Sequence, residues 1–197
     1  MSKLLITGCG RSGTRYATKA LALVGLELGH EKEGRDGQIN WRAVGWSPER
    51  LAGYVVLHQV RHPLGVIASC HTIMQRSWDY ACDVEPRIKK DADLLDRCMQ
   101  YWVWWNKRAA SVSRWTYRVE NLRRIVPSIL SVTGNPPAIG FDVAVGDVSN
   151  RDHSRAKSKS YPSVSYEDLV SADEKLASAI KEMAVNYGYD DENLIIL

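Results

Sequence analysis

The chain has 197 residues, 45% of them hydrophobic, which is enough for one sizeable core and short for two independent ones, so a single domain over residues 1–197 is expected. A formal net charge of +3 does not by itself imply a nucleic-acid protein, and no apolar run approaches the roughly 18 residues that a bilayer span needs. With no signal peptide at the start and no C-x-x-C spacing among Cys9, Cys70, Cys82 and Cys98, a cytoplasmic protein with reduced thiols and no zinc site is expected.

The first element is the stretch LLITGCGRSGTRYATKAL. Leu4, Leu5 and Ile6 predict a short buried strand, Gly8, Gly10 and Gly13 a tightly turning loop, and Thr14 to Val24 a helix that Gly25 caps. Backbone amides and the positive end of the helix dipole then converge on one spot, ringed by Arg11, Ser12, Thr14 and Arg15, which suits an anion. As a Walker A motif the loop has Gly8 and Gly13 at the right separation, but Thr14 stands where the lysine belongs. As a dinucleotide fingerprint Gly8, Gly10 and Gly13 fit G-x-G-x-x-G, with Glu31 or Glu33 at the distance of a ribose-binding acid.

Leu26 to Leu28 predicts the second strand, followed by GHEKEGRDG, where His30 and Glu31 are candidate proton acceptors beside the loop. Residues 32–53, rich in glycine and charge, read as a long loop with at most a short helix. Residues 54–74 predict a β-branched strand ending near Arg61 and an apolar helix from Pro63 to about Met74. His58, inside that strand, reads as an interior histidine, and His62 as a residue that shapes the turn. Residues 76–90 read as a variable loop.

From Asp91 to about Val112 a helix presents Leu94, Leu95, Cys98, Met99, Trp102, Trp105 and Ala109 at helical spacing, which marks a core face and leaves Trp104 as its exception. WTYRVENL follows at residues 115–122, and SYEDL with the apolar periodicity of Leu176, Ile180 and Met183 reads as a closing helix before YGY. Between them, NRDHSRAKSKSYPS at 150–163 is polar and basic. It reads either as a loop that closes on an anion or as a solvated surface loop, and it lacks the aromatic interleaving of a nucleic-acid binder.

GCGRSGTRY resembles the 5′-phosphosulfate loop of sulfotransferases that use 3′-phosphoadenosine 5′-phosphosulfate (PAPS), in which a Lys or Arg, a Ser, a Gly and a Thr follow in this order. Arg61, Pro63 and Ser69 reproduce the spacing of that family's 3′-phosphate segment, and the 115–122 and SYEDL stretches resemble its later elements. The resemblance implies an α/β, three-layer, P-loop-type fold with a central parallel sheet flanked by helices. It implies that Gly10, Arg11, Ser12, Gly13, Thr14 and Arg15 bind the 5′ end of PAPS, that Arg61 and Ser69 hold its 3′-phosphate, and that Arg155, or else Arg151, Lys157 or Lys159, closes over it.

On this reading Arg11 stabilises the leaving phosphate and Glu31 takes the acceptor's proton, with His30 as its substitute. The expected co-substrate is PAPS, the product 3′-phosphoadenosine 5′-phosphate (PAP), and the acceptor a small molecule or carbohydrate, with no metal, no nucleic acid and no membrane span. The Lys-Thr-His pattern of the family's small-molecule members is missing. The alternatives are a P-loop nucleotide kinase or phosphotransferase, which needs a lysine, an acid and magnesium, and a nucleotide-binding module without turnover.

Overall fold

The computed structural model describes residues 3–134 and 163–189. Five strands form one sheet in the order β2-β3-β1-β4-β5, every pair parallel. The strands are β1 (Lys3–Thr7), β2 (Leu28–His30), β3 (Gly37–Ile39), β4 (Tyr54–Val60) and β5 (Thr116–Arg118). Leu4, Leu5 and Ile6 of the central β1 are fully buried, as a parallel strand covered on both faces requires. Alternate residues serve opposite faces. Leu4, Ile6 and Leu57 pack with α1 (Thr14–Ala22) and α6 (Leu122–Thr133), while Leu5 packs with Val56 and Ala43 on the other side.

That other side carries α3 (Pro63–Cys70), α4 (Gln75–Val84), α5 (Leu94–Ser111), α7 (Tyr166–Ala172) and α8 (Glu174–Asn186), joined in one cluster around Tyr101, Trp102 and Trp105. Trp102 and Trp105 are core, as their spacing predicts, and Tyr101, outside that spacing, is buried with them. Trp104 is the half-buried exception, its ring in contact with the cations of Arg87 and Lys107. A single turn, α2 (Pro48–Leu51), lies in the long segment before β4. Helices therefore flank an all-parallel sheet, and none among the described residues is long and apolar enough to cross a membrane.

Five elements differ from the sequence reading. The second strand begins at Leu28 and runs to His30, and the supposed loop 32–53 contains β3, which separates β1 from β2, so the ends of those two strands are not neighbours. Residues 31–36 alone join the parallel β2 and β3, far fewer than the dozen or more of an ordinary crossover. The chain reverses at Glu31, which takes a left-handed φ of 56°, and folds back directly on the strand. A Cβ on Gly29 would come within 2.1 Å of the Lys32 carbonyl, so only glycine permits this return.

The apolar helix expected from Pro63 to Met74 stops at Cys70, because the amides of Thr72 and Ile73 turn back to Ser69 and Cys70 instead of continuing the ladder. The variable loop expected at 76–90 holds α4, whose Trp78, Ala81 and Cys82 are buried at helical spacing. The closing helix is two, split at Asp173, which caps α8 by accepting from the Leu176 amide. Arg155 and the rest of the basic segment, Arg151, Lys157 and Lys159 included, lie outside the described residues.

Candidate functional site

The site forms where β1 and β4 lie side by side with Thr7 paired to His58. The chain leaves β1 toward β2 and β3 on one side and leaves β4 toward β5 on the other, so the connections part above this pair. Such a point leaves a crevice beyond the strand ends, the usual ligand position of open α/β sheets.

The loop after β1 is tightly determined. A Cβ on Gly8, at φ 150°, would stand 2.1 Å from the carbonyl oxygen of Gln59, so loop and β4 touch backbone to backbone. Gln59 then donates from Nε2 to the Ser12 carbonyl at 2.7 Å and is itself oriented by the Tyr117 hydroxyl, which donates to its Oε1 at 2.9 Å. Arg11 at φ 73° and Gly13 at φ 80° both adopt the left-handed conformation. Gly13 is the N-cap of α1 and no side chain caps its first-turn amides, leaving a helix N-terminus of the kind that binds anions. The Ser12 hydroxyl is buried with no hydrogen-bond partner among the described residues, an unusual state for a polar group that a ligand would relieve.

One expectation for the loop is corrected. Gly10 does not offer its amide to a ligand, because the N–H donates to the Tyr101 hydroxyl at 2.7 Å. Tyr101 reaches it from α5, so a core helix fixes the loop's position.

Arg61 follows β4 directly. Its Nη1 donates to the Arg11 carbonyl at 3.1 Å, and its guanidinium lies beside Gly65 in the first turn of α3. The strand-end arginine and the glycine loop, read separately in the sequence, are thus one constellation. Ser69 is less direct: it stands in the last turn of α3, about 9 Å along the helix axis from Pro63 by helical rise. It joins the loop through Thr72, whose hydroxyl donates to the Ser69 carbonyl at 2.9 Å and accepts from Arg11 Nη2 at 2.6 Å. Arg15, on the first turn of α1, is exposed.

His30, at the end of β2, reaches the site even though β3 intervenes. Its Nε2 lies 3.0 Å from the Thr14 hydroxyl, across the first turn of α1. Burial lowers its pKa from the ordinary imidazole value and Arg15 lowers it further, with Glu31 opposing, so the ring is neutral near pH 7 and able to take a proton. Glu31 is exposed and serves the reversal, with its amide bonded to the Ile39 carbonyl at 2.9 Å. Glu33 is drawn to the opposite end of the sheet, where it pairs with Lys3 at 2.8 Å and accepts from Tyr54. It therefore cannot serve as a ribose-binding acid at the loop.

His58 is the interior histidine that its strand position predicts. Nε2 lies 3.1 Å from Asn106 Oδ1 and Nδ1 lies 3.0 Å from the Thr116 hydroxyl, while burial lowers its pKa to about 4. The His62 and Tyr189 rings meet edge to face with centroids 5.2 Å apart, and the His62 amide donates to Glu120 at the turn into α3.

Gln59, Thr72 and Tyr101 hold the loop and were not singled out from the sequence. A polar Gln59 inside the apolar strand YVVLHQV is a signal of this kind, whereas nothing in the sequence marks Thr72 or Tyr101. An open concavity of about 750 Å³, lined by Trp46, Leu51, Tyr54, Val56 and Arg114, lies at the start of β4, the far end of the sheet from these residues. No group of three or more His, Cys, Asp or Glu side chains among the described residues is placed to hold a metal.

Neither a protein-family model nor a curated protein matches this chain.

Proposed function

We propose that this chain is a P-loop-type sulfotransferase that moves a sulfuryl group from PAPS to a hydroxyl or amine. The observation that carries the reading is the Arg61 to Arg11 contact at 3.1 Å, which joins a strand-end arginine to a glycine-bracketed loop at the sheet's switch point. A nucleotide phosphorylated at both the 5′ and 3′ positions needs two adjacent anion sites, and the joining of the loop to Arg61 supports that reading. The uncapped first turn of α1, the unpartnered Ser12 hydroxyl and Arg11 suit the 5′ end, and Arg61 suits the 3′-phosphate, with Ser69 beyond it on the same helix. The four cysteines are free and buried, which suits a cytoplasmic compartment.

In the reaction the acceptor oxygen or nitrogen attacks sulfur in line, the bond from sulfur to the 5′-phosphate oxygen breaks, and PAP leaves with the negative charge. By analogy with phosphoryl transfer, positioning and charge stabilisation carry most of the catalysis. Arg11 and the amides of α1 stabilise the leaving oxygen. The acceptor's proton goes to His30, whose neutral ring stands at the Thr14 hydroxyl, in preference to the exposed Glu31.

Transfer of labelled sulfate from PAPS, screened over sugar, lipid and phenolic acceptors, tests the reading. A labelled acceptor formed together with PAP is the expected result. Tight PAP binding without transfer to any acceptor favours a nucleotide-binding module, and phosphoryl transfer from magnesium ATP favours a kinase.

A further inference from the structure

Arg11 is held at both ends. Its carbonyl accepts from Arg61, while Nη2 of its guanidinium donates to two oxygens of one residue, the Thr72 carbonyl at 3.1 Å and the Thr72 hydroxyl at 2.6 Å. Thr72 lies just past α3, where the helix has ended and the chain turns. Its hydroxyl hydrogen is committed to the Ser69 carbonyl at 2.9 Å, and its amide donates to the same carbonyl at 3.2 Å.

A hydroxyl has one hydrogen to give, so this commitment fixes its lone pairs as acceptors toward Arg11. The short contact with a cationic donor is of the strong, charge-assisted kind. Nη2 is thereby occupied, while Nε and Nη1 make no hydrogen bond to other described residues and remain for a ligand. The left-handed backbone of Arg11 sets where its side chain departs, and Thr72 sets where the guanidinium ends.

We infer that Thr72 is the positioning residue for Arg11: it holds one edge of the guanidinium on the turn after α3, so that the other donors face the anion position at the N-terminus of α1. This rests on the functional reading above, in which that anion is the 5′-phosphate of the nucleotide. Because Thr72 also grips the Ser69 carbonyl, the same residue ties the loop that binds the 5′ end to the helix that carries Ser69.

The experiment is calorimetry with two nucleotides, PAP and adenosine 3′-phosphate, which lacks the 5′-phosphate. Thr72→Val keeps the branched shape and removes the hydroxyl, with Thr72→Ala measured beside it in case the valine does not fold. The hydroxyl variant should weaken PAP about tenfold, the low end for losing a hydrogen bond to a charged group, and leave adenosine 3′-phosphate within about twofold. Thr72→Ser should restore PAP binding, and adding Thr72→Val to Arg11→Ala should weaken PAP no further than Arg11→Ala alone. Equal weakening of both nucleotides, no weakening of PAP, a serine variant as poor as valine, or additive losses in the double variant each overturn the inference. A wild-type chain that binds PAP no better than adenosine 3′-phosphate overturns the functional reading and this inference with it. A wild-type preference left undiminished by Thr72→Val overturns the inference alone.

Discussion

Arg61 and Arg11 stand fifty positions apart in the chain, yet Arg61 Nη1 donates to the main-chain carbonyl of Arg11 at 3.1 Å. The Arg11 guanidinium goes instead to Thr72, and among the described residues no carboxylate takes up either guanidinium. A guanidinium with no acidic partner suits an anionic ligand.

The first prediction follows from that pair. Arg61→Ala should lower PAP affinity by roughly 2–5 kcal/mol, the range for truncating one partner of a buried charge pair, while ADP, which has no 3′-phosphate, changes little. Calorimetry on a variant with unchanged circular dichroism checks it. Equal losses for the two nucleotides would mean that Arg61 acts only by shaping the loop through the Arg11 carbonyl.

The second concerns the backbone contact beneath the loop. In Gly8→Ala the new methyl would sit 2.1 Å from the Gln59 carbonyl oxygen, and relief requires separating the loop from β4. A loss of at least about 2 kcal/mol in chemical denaturation is expected, with nucleotide binding lost as well. Gly25→Ala is the control. Its Cβ meets nothing within 4 Å although φ is 85°, so only the smaller backbone strain applies.

The third is a pH dependence. His58 titrates near pH 4 in the fold and near 6.5 when unfolded, so between these values the unfolded chain binds the extra proton. Its contribution to stability is complete above about pH 6.5 and is lost as pH falls toward 4, reaching up to about 3 kcal/mol by the difference between the two values. Denaturation midpoints should therefore fall more steeply with acidification over that window in wild type than in a folded His58→Gln variant. Parallel curves would assign the acid sensitivity to other groups.

The fourth separates the two candidate bases. His30→Ala should reduce sulfate transfer by on the order of 10²–10⁴ with PAP affinity nearly unchanged, whereas Glu31→Gln should reduce it by less than about tenfold. Assays with an acceptor from the screen described above check this. The reverse ranking would restore Glu31 and place His30 in a supporting role at Thr14.

The alternation and capping signals that made the main elements legible in the sequence are those that survive without tertiary context. Leu4 to Ile6, the β-branched run of β4, and the heptad-like spacing of Cys98, Met99, Trp102 and Trp105 each announce their element because burial on one or both faces selects their apolar residues. β3 was not legible. Gly37, Gln38 and Ile39 are too few to show a period, and their strand character comes entirely from pairing with β1 and β2. α4 was legible and overlooked, since Trp78, Ala81 and Cys82 carry a helical spacing inside a segment rich in charge.

Within the site, the glycine positions and Arg61 could be read because backbone geometry and strand-end position constrain them locally. The supports could not. Tyr101 on α5 takes the Gly10 amide and Thr72 holds the Arg11 guanidinium, pairings set by how helices pack across the sheet and by no local pattern. Likewise His30 meets Thr14 although β3 stands between β1 and β2, a proximity reached by a different route from the adjacent strand ends the sequence suggested.

The most direct measurement of the central claim is the affinity of the wild-type chain for PAP against ADP and magnesium ATP, by calorimetry in one buffer at one ionic strength. Two neighbouring phosphate sites, one at the N-terminus of α1 and one at Arg61, predict PAP tighter than ADP by at least about tenfold, with no gain from magnesium. Equal affinity for PAP and ADP, or a preference for magnesium ATP, would contradict it.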